Sequence, residues 1–301
     1  MFDPRHLQAL SAVVESGGFD KAASQLFITQ SAVSQRIRQL EDRIGQLVLT
    51  RTTPVQPTAV GRRLLQHYRQ LSLMEADLMD ALQPDNDANQ YTTLAVGVNN
   101  DSLASWFLPA IAPLLAERRL LLDVMLDDQD YTHELMRQGH VIGCVSTRAQ
   151  PIQGGDSVPL GVMRYRCLAT PAFAIRHFPG GLSHEALAKA PAIEFSHKDD
   201  LHSEYLADKL GYRCSYPRFL LPNPASFIDG TRLGFAYSLL PELMLGDELA
   251  KGELIDLTPG QWVDLPLYWH HWRVGSALVE DLADTLLAYC RQALRPIPDR
   301  S

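Results

Sequence analysis

Long apolar runs are missing from this sequence, since none approaches the ~18 residues that a membrane-spanning helix requires. The N-terminus has no apolar signal core either. The cysteines are few and far apart, and they match neither a disulfide framework nor a zinc-binding spacing. These absences argue against a helical membrane protein and a disulfide-rich secreted domain. We therefore expect a soluble cytoplasmic protein whose thiols are buried, namely Cys144, Cys167, Cys214 and Cys290.

The motifs of common enzyme classes are absent as well. No G-x-S-x-G nucleophile elbow, H-E-x-x-H zinc motif or phosphate-binding loop occurs. The aromatic run from Tyr268 to Trp272 contains His270 and His271, but adjacent strand residues point to opposite faces and cannot both serve one site. We interpret this run as core aromatics with a pair of edge histidines. The sequence predicts no catalytic residue and no metal site.

Charge is distributed unevenly along the chain, whose 301 residues are enough for two or three domains. The net charge is -8, but residues 1–73 hold nine basic and five acidic residues, a net of +4. The remainder carries 18 basic and 30 acidic residues, a net of -12. A basic head on an acidic body is typical of local contact with nucleic acid.

Residues 19–41 predict two short helices joined by a tight turn. Ala22 and Ala23 allow a close crossing, while Val33, Ile37 and Leu40 recur at helical spacing and must face inward. The opposite face is polar and free of acids, which suits base edges and phosphates in a major groove. The predicted DNA contacts are Thr29, which also caps the second helix, Gln30, Ser31, Ser34, Gln35 and Arg38, with Arg51 on a predicted β-wing. The alternative is an ordinary hairpin with a solvated face, although such faces usually mix Glu with Lys.

A longer helix is predicted to begin at Pro57-Thr58 and to carry an apolar stripe along about seven turns. No element nearby in sequence covers this stripe, so pairing with the same helix of a second chain would bury it. The stripe consists of Leu64, Tyr68, Leu71, Leu78 and Leu82. The alternative is packing on the chain's own body. The polar residues 83–90 then mark a domain boundary.

From residue 91 onward, short apolar strands alternate with helices, as in a parallel α/β sheet. Strands are predicted near 94–98, 121–126, 141–146, 164–169, 192–195, 217–221, 235–239 and 267–272. Helices are predicted near 102–117, 183–189, 201–210, 241–251 and 277–294. The last strand and helix are expected to return to the first lobe, so that two lobes are joined by two crossovers. A ligand in such a fold binds between the lobes.

Many of these residues resemble those of the LysR-type transcriptional regulators. The matching residues are Ala22-Ala23, 29–34, Ile37, Leu40-Glu41, Gly45, Arg51, Pro57-Thr58 and Gly61. Longer blocks at 98–106, 195–202, 252–260 and 267–270 are similar to the ArgP/LysG branch of that family. The resemblance covers the whole chain.

This resemblance implies an α/β protein with an N-terminal winged helix-turn-helix, a linker helix and an effector domain of periplasmic-binding-protein type 2 fold. The implied bounds are 1–57 for the DNA-binding domain, 58–90 for the linker and 91–301 for the effector domain. Lobe I spans about 91–163 and 267–301, and lobe II about 164–266. The implied function is a ligand-responsive transcription factor that senses lysine or arginine and regulates a basic amino-acid exporter or related genes. The implied partners are a double-stranded DNA operator, the effector, a second or further copies of the chain in a dimer or tetramer, and RNA polymerase as a further candidate.

A cationic amino acid needs donors for its carboxylate and acids for its side chain. Candidates lie at the ends of predicted strands and the starts of predicted helices: Asn99, Asp101, Ser102, Asp127, Asp128, Ser146, Thr147, Asp199 and Asp200. Asp101 and Ser102 could instead only cap a helix, and each acid pair could be solvated or a cap. No cofactor beyond this effector is expected.

Two other functions remain open at this point. One is an architectural or replication-initiation-blocking DNA-binding protein without a ligand response. The other is a metabolic enzyme that has kept a DNA-binding head, although the sequence offers it no nucleophile and no metal ligands.

Overall fold

The computed structural model describes residues 2–50, 52–82, 91–126 and 132–298.

The N-terminal unit is a three-helix bundle whose helices begin at capping residues. Helices α1 (Pro4–Ser16), α2 (Phe19–Gln25) and α3 (Gln30–Ile44) form the bundle. Asp3 caps α1 by accepting a hydrogen bond from the backbone N–H of Arg5 at 2.9 Å, and Thr29 caps α3 by accepting from Ala32 at 3.2 Å. The Thr29 cap was predicted, because a short acceptor before an apolar stripe satisfies the free N–H groups of a first turn.

The predicted β-wing after α3 is much reduced. In the residues of this segment that the structure describes, it shows one antiparallel bridge, between Leu49 and Pro57. Glu41 anchors this segment to α3, because its Oε1 accepts the backbone N–H of Val48 at 2.9 Å. Helix α4 (Ala59–Leu82) passes so close that a Cβ on Gly61 would overlap the carbonyl oxygen of Val48. A glycine is therefore required at this crossing.

Helix α4 connects the two halves of the molecule. The N-terminal unit formed by α1 to α3 and the wing segment is called the head below. Leu64 is buried in its core, and Tyr68 and Leu71 pack against that core. The apolar stripe is thus partly covered by the chain itself, contrary to our premise, because the helix folds back across the head. Leu78 and Leu82 remain 56% and 66% exposed.

A mixed sheet forms the centre of the effector domain. Its strands are β1 (Thr92–Val98), β2 (Leu120–Leu126), β3 (Gly143–Ser146), β4 (Gly155–Ala169), β7 (Ser238–Pro241), β8 (Ile255–Asp256) and β9 (Val263–Trp272). The order is β2-β1-β3-β9-β4-β7, with β8 paired to β4. Only β1, β2 and β3 run parallel, since β9 and β7 pair antiparallel with their neighbours. The expectation of a parallel sheet was therefore correct for the first three strands of this sheet and wrong for the rest of it.

The effector domain has helices both before and after the long strand β4 in the chain. A helical stretch runs from α5 (Asn100–Ser102) through a π-helical turn into α6 (Leu108–Glu117), and α7 (Thr132–Arg137) precedes β3. The second half contains α8 (Pro171–His177), α9 (His184–Leu187), α10 (Leu201–Leu210), α11 (Pro224–Arg232) and α12 (Glu248–Lys251). Strands β5 (Ala192–Glu194) and β6 (Arg218–Leu220) form a separate parallel pair there. Helix α13 (Ala277–Ala293) returns to pack on α6.

We call the part built on β1 to β3, α6 and α13 the first lobe, and the part built on β5 to β7 and α8 to α12 the second lobe. The long strands β4 and β9 pair with each other along nearly their whole length, from Gly155 opposite Trp272 to Tyr165 opposite Val263. They belong to both lobes and hold them side by side. None of the helices in the described part of the chain is both long and apolar enough to cross a membrane.

Three expectations about this domain were wrong. The helix predicted near 241–251 is replaced by the end of β7, a single turn at Glu242–Met244 and the short α12, because Gly246 and Asp247 interrupt the helical pattern. His270 is not an edge residue, since β9 is paired on both sides and the side chain is fully buried. Cys214 is exposed, whereas the other three cysteines are buried.

Candidate functional site

The exposed face of α3 carries the predicted DNA-contacting residues. Gln30, Ser31, Gln35 and Arg38 are exposed and lie on one side of the helix, while Val33 and Ile37 are buried on the other. Ser34 is half-buried. Arg51 lies outside the described residues. The contacts themselves remain predictions, and the structure supports their placement on one accessible face.

A cavity of about 380 Å³ lies between the two lobes. Its wall begins just after the carboxyl ends of the parallel strands β1 and β3, where ligands bind in open α/β sheets. The other walls come from the long strands β4 and β9, the starts of α10 and α11, and the end of β7. The polar lining residues are Asn99, Asn100, Asp101, Thr147, Tyr165, Lys198, Asp199, Asp200, His202 and Glu204.

Asp101 projects from the first lobe into this cavity. Its Oδ2 accepts a hydrogen bond from the hydroxyl of Tyr165 on β4 at 2.6 Å. Burial raises the pKa of the Asp101 carboxyl to about 6, the nearby Asp199 adds to the rise, and the bond from Tyr165 opposes it. Asp101 therefore changes charge close to neutral pH.

The second lobe contributes the acid pair Asp199 and Asp200 at the start of α10. Asp199 accepts backbone N–H groups of Phe195 at 3.1 Å and of Leu201 at 3.2 Å, so it does serve as a turn and cap residue. Asp200 is exposed and makes no capping bond with its side chain. Both line the cavity, which brings them into one site with Asp101.

Of the other predicted effector contacts, two line the cavity and two do not. Asn99 is buried and Thr147 half-buried, and both line the cavity as expected. Ser102 and Ser146 are buried and are not among the lining residues. Ser102 turns inward because it follows the wall residue Asp101 on a helical stretch, and the Ser146 hydroxyl accepts the backbone N–H of Arg148 at 3.2 Å. Asp127 and Asp128 lie outside the described residues.

Four charged or titratable residues that line the cavity were not predicted from the sequence, namely Tyr165, Lys198, His202 and Glu204. Glu204 could have been found, because it lies one helical turn after Asp200 and must share its side of α10. Lys198 and His202 are in a block that we had matched to the family without assigning a role to either. Tyr165 gave no signal, because its direction depends on how β4 sits in the sheet.

Negative charge dominates the cavity wall in the part of the chain that the structure describes. Asp101, Asp199, Asp200 and Glu204 face Lys198, and burial lowers the pKa of His202 to about 3, which keeps its ring neutral. Within the same described residues, no group of three or more His, Cys, Asp or Glu side chains could hold a metal ion. The arrangement suits an organic cation.

Two protein-family descriptions match the chain. The bacterial regulatory helix-turn-helix protein of the lysR family matches residues 4–62, and the LysR substrate binding domain matches residues 89–291. The first match contains α3 and its exposed face. The second contains every residue that lines the cavity.

Individual proteins are similar over nearly the full length. The chain is 46% identical over 288 residues to the HTH-type transcriptional regulator ArgP of Pseudomonas aeruginosa, and the match covers 96% of each chain. The crystal structure of ArgP from Mycobacterium tuberculosis has a TM-score of 0.85 at 34% identity, covering 99% of this chain and 100% of that one. Full-length LysG from Corynebacterium glutamicum with bound effector Arg has a TM-score of 0.78 at 31% identity, covering 98% and 100%.

These matches agree with the two sites described above. The proteins are named transcriptional regulators rather than enzymes, and both family descriptions apply to this chain. An acid-free helix face is presented for DNA, and a ligand-sized cavity lies between two lobes. The chain belongs to the LysR family and is a ligand-responsive, DNA-binding transcription regulator with a winged helix-turn-helix head and a two-lobed effector domain.

Proposed function

We propose that the effector is a free amino acid with a cationic side chain, arginine or lysine, bound in the cavity between the lobes. The observation that carries this proposal is the set of carboxylates around the cavity, with Asp101 on the first lobe and Asp199, Asp200 and Glu204 on the second. A volume of about 380 Å³ falls in the range of small-molecule sites. A ligand that touches carboxylates on both lobes would hold them together.

The two ends of such a ligand need different partners. The cationic group would meet Asp101 and Asp199, since Asp199 lies close enough to help raise the pKa of Asp101. The carboxylate would meet Lys198 and the polar side chains of Asn100 and Thr147. This assignment moves the carboxylate away from Ser102, which the fold buries.

The similarity to LysG supports the proposal, because that protein was solved with bound effector Arg and is similar over nearly the whole chain. A DNA-binding protein without a ligand response is the less favoured alternative, since the cavity here has a size and charge suited to a ligand. As a regulator of transcription, the protein would act on DNA in the cytoplasm as a homo-oligomer, with α4 as the contact.

Titration calorimetry with arginine, lysine and citrulline tests this proposal. Citrulline has nearly the shape of arginine but no charge, so it is the matched control. We expect arginine or lysine to bind at least about tenfold more tightly than citrulline, because a charge-assisted hydrogen bond contributes roughly 1.5–3 kcal/mol. Equal affinity for citrulline, or heat only from an acidic or neutral metabolite, would show that the cavity does not select a cationic amino acid.

A further inference from the structure

Asp101 occupies a position in which its negative charge is poorly compensated before the effector arrives. It is partly buried at the cavity wall, and the hydroxyl of Tyr165 donates to its Oδ2 at 2.6 Å. The carboxylate of Asp199 approaches from the other lobe and repels it. Two like charges in a partly dry cavity destabilise each other, and either a proton or a ligand cation relieves the conflict.

The groups that face Asp101 come from every element around the cavity. Strand β4 contributes Tyr165, and the segment before α10 contributes Lys198, Asp199 and Asp200. Helix α10 itself contributes Glu204 and the neutral His202. The linings from β5, β7, α11 and β9 are apolar, and those next to β1 and β3 are amides and a hydroxyl. Among these residues, three carboxylates face one lysine, so the surroundings favour a protonated Asp101.

We propose that effector binding is coupled to release of a proton from Asp101. This inference rests on the proposed function, because it requires a cationic ligand at the same carboxylate. A proton and the effector's cationic group then compete for Asp101, and acidification weakens the response to the effector. The regulator would report the cationic amino acid and the pH together.

The size of the coupling follows from linkage. Burial and Asp199 raise the pKa of Asp101 to about 6, so the carboxyl is about half protonated near that pH in the empty cavity. Binding should therefore release about half a proton near pH 6 and almost none near pH 8. Below pH 6, the apparent affinity should fall about tenfold for each further pH unit.

Calorimetry in pairs of buffers with different ionisation heats counts these protons. Arginine and lysine would be titrated into the full-length protein at about pH 6, 7 and 8. The variant Tyr165→Phe removes the hydroxyl that stabilises the charged carboxylate, so its proton release should extend to higher pH than in the wild type. Asp208→Asn is the control, because Asp208 is an exposed carboxylate on α10 that does not line the cavity.

The outcomes separate this inference from the proposed function. Arginine binding with proton release near pH 6, shifted in Tyr165→Phe and unchanged in Asp208→Asn, is the expected result. Binding near pH 8, combined with no proton release near pH 6 and no weakening of affinity there, would overturn the coupling alone. Proton uptake on binding near pH 6 would do the same. If neither amino acid binds near pH 8, the proposed function fails and the coupling fails with it. Should Tyr165→Phe fail to fold, the wild-type proton count decides.

Discussion

The exposed face of α3 and the wall of the cavity are both polar surfaces placed to meet a ligand, but their carboxylates are used in opposite ways. The face of α3 has no acid, and the nearby Glu41 turns away to accept the backbone N–H of Val48 at 2.9 Å. In the cavity, Asp101 and Asp199 point at the space that a ligand would fill. One surface suits the polyanion DNA, and the other suits a small cation. The net charge of -8 describes neither surface.

The largest effect is expected from substitutions on α4, the helix that connects the DNA-binding bundle to the effector domain. Leu78 and Leu82 are exposed on α4 beyond the head, so replacing both with Asp should prevent α4 from pairing with a second chain. Burying two unpaired charges at such a contact is severely destabilising. We expect monomers in sedimentation and an operator affinity lower by about a hundredfold, because the two half-sites then bind separately. An unchanged mass with full operator affinity would show that α4 is not the contact.

Gly61→Ala should damage the head and leave the cavity intact. The new Cβ would overlap the carbonyl oxygen of Val48, and the wing segment cannot move without losing its bonds to Glu41 and Thr58. We expect a loss of about 3 kcal/mol in the stability of the head, measured by chemical denaturation. Gly18→Ala is the control, since its Cβ position has no atom within 4 Å apart from those of Gly18 and its chain neighbours. Equal effects of the two changes would contradict the close crossing.

Asp101→Asn should change the effector domain in a way that depends on pH. Burial raises the pKa of Asp101 in the folded protein to about 6, from 3.8 for an unperturbed aspartate. Its contribution to stability is thus fully present below pH 3.8 and is lost as the pH rises through about 6. Asn never ionises, so the effector-free variant should be more stable than the wild type at about pH 8, by roughly 1–2 kcal/mol, and not at about pH 4. Thermal unfolding at the two pH values measures this, and a variant less stable at both would show that the carboxylate is needed for folding.

The smallest expected effects distinguish residues on the face of α3. Gln35→Ala should relax the preference at one or two base positions by roughly 1 kcal/mol, because a glutamine can pair with one base edge. Arg38→Ala should weaken binding to all sequences about equally and reduce the salt slope by about one unit, as the loss of a phosphate contact does. A selection assay and a salt titration separate the two. If Gln35→Ala kept the preferred sequence unchanged, the orientation of α3 on DNA would have to be revised.

Local features of the chain were predictable where one short segment decides them. Thr29 caps α3 as expected, and Asp3 caps α1 in the same way, because a cap depends on the few residues next to it. The helix predicted near 241–251 was wrong, because Gly246 and Asp247 interrupt it between a single turn at Glu242–Met244 and the short α12. Glu41 and Gly61 were visible only as parts of a family pattern, and their contacts with Val48 explain why these residue types are needed.

The cavity was predictable only in part. Asp101, Asp199 and Asp200 were proposed because they stand at the ends of strands or the starts of helices, where ligands of α/β proteins bind. Ser102 was proposed by the same rule and is buried, because one residue further along a helix points in another direction. Tyr165 was missed, because no local pattern tells which side of β4 faces a ligand.

The sequence by itself determined the helices of the N-terminal bundle, the inward and outward faces of α3, and the division into a basic head and an acidic body. These follow from residue periodicity, caps and charge, which act over a few neighbouring positions. Only the tertiary structure decided that Asp101, Tyr165 and Asp199 meet at one cavity, although they are separated by 64 and 34 positions in the chain. Their proximity depends on the pairing of β4 with β9, which is set by the packing of the whole sheet. The charge state of Asp101 depends on that proximity, since burial and a facing carboxylate raise its pKa.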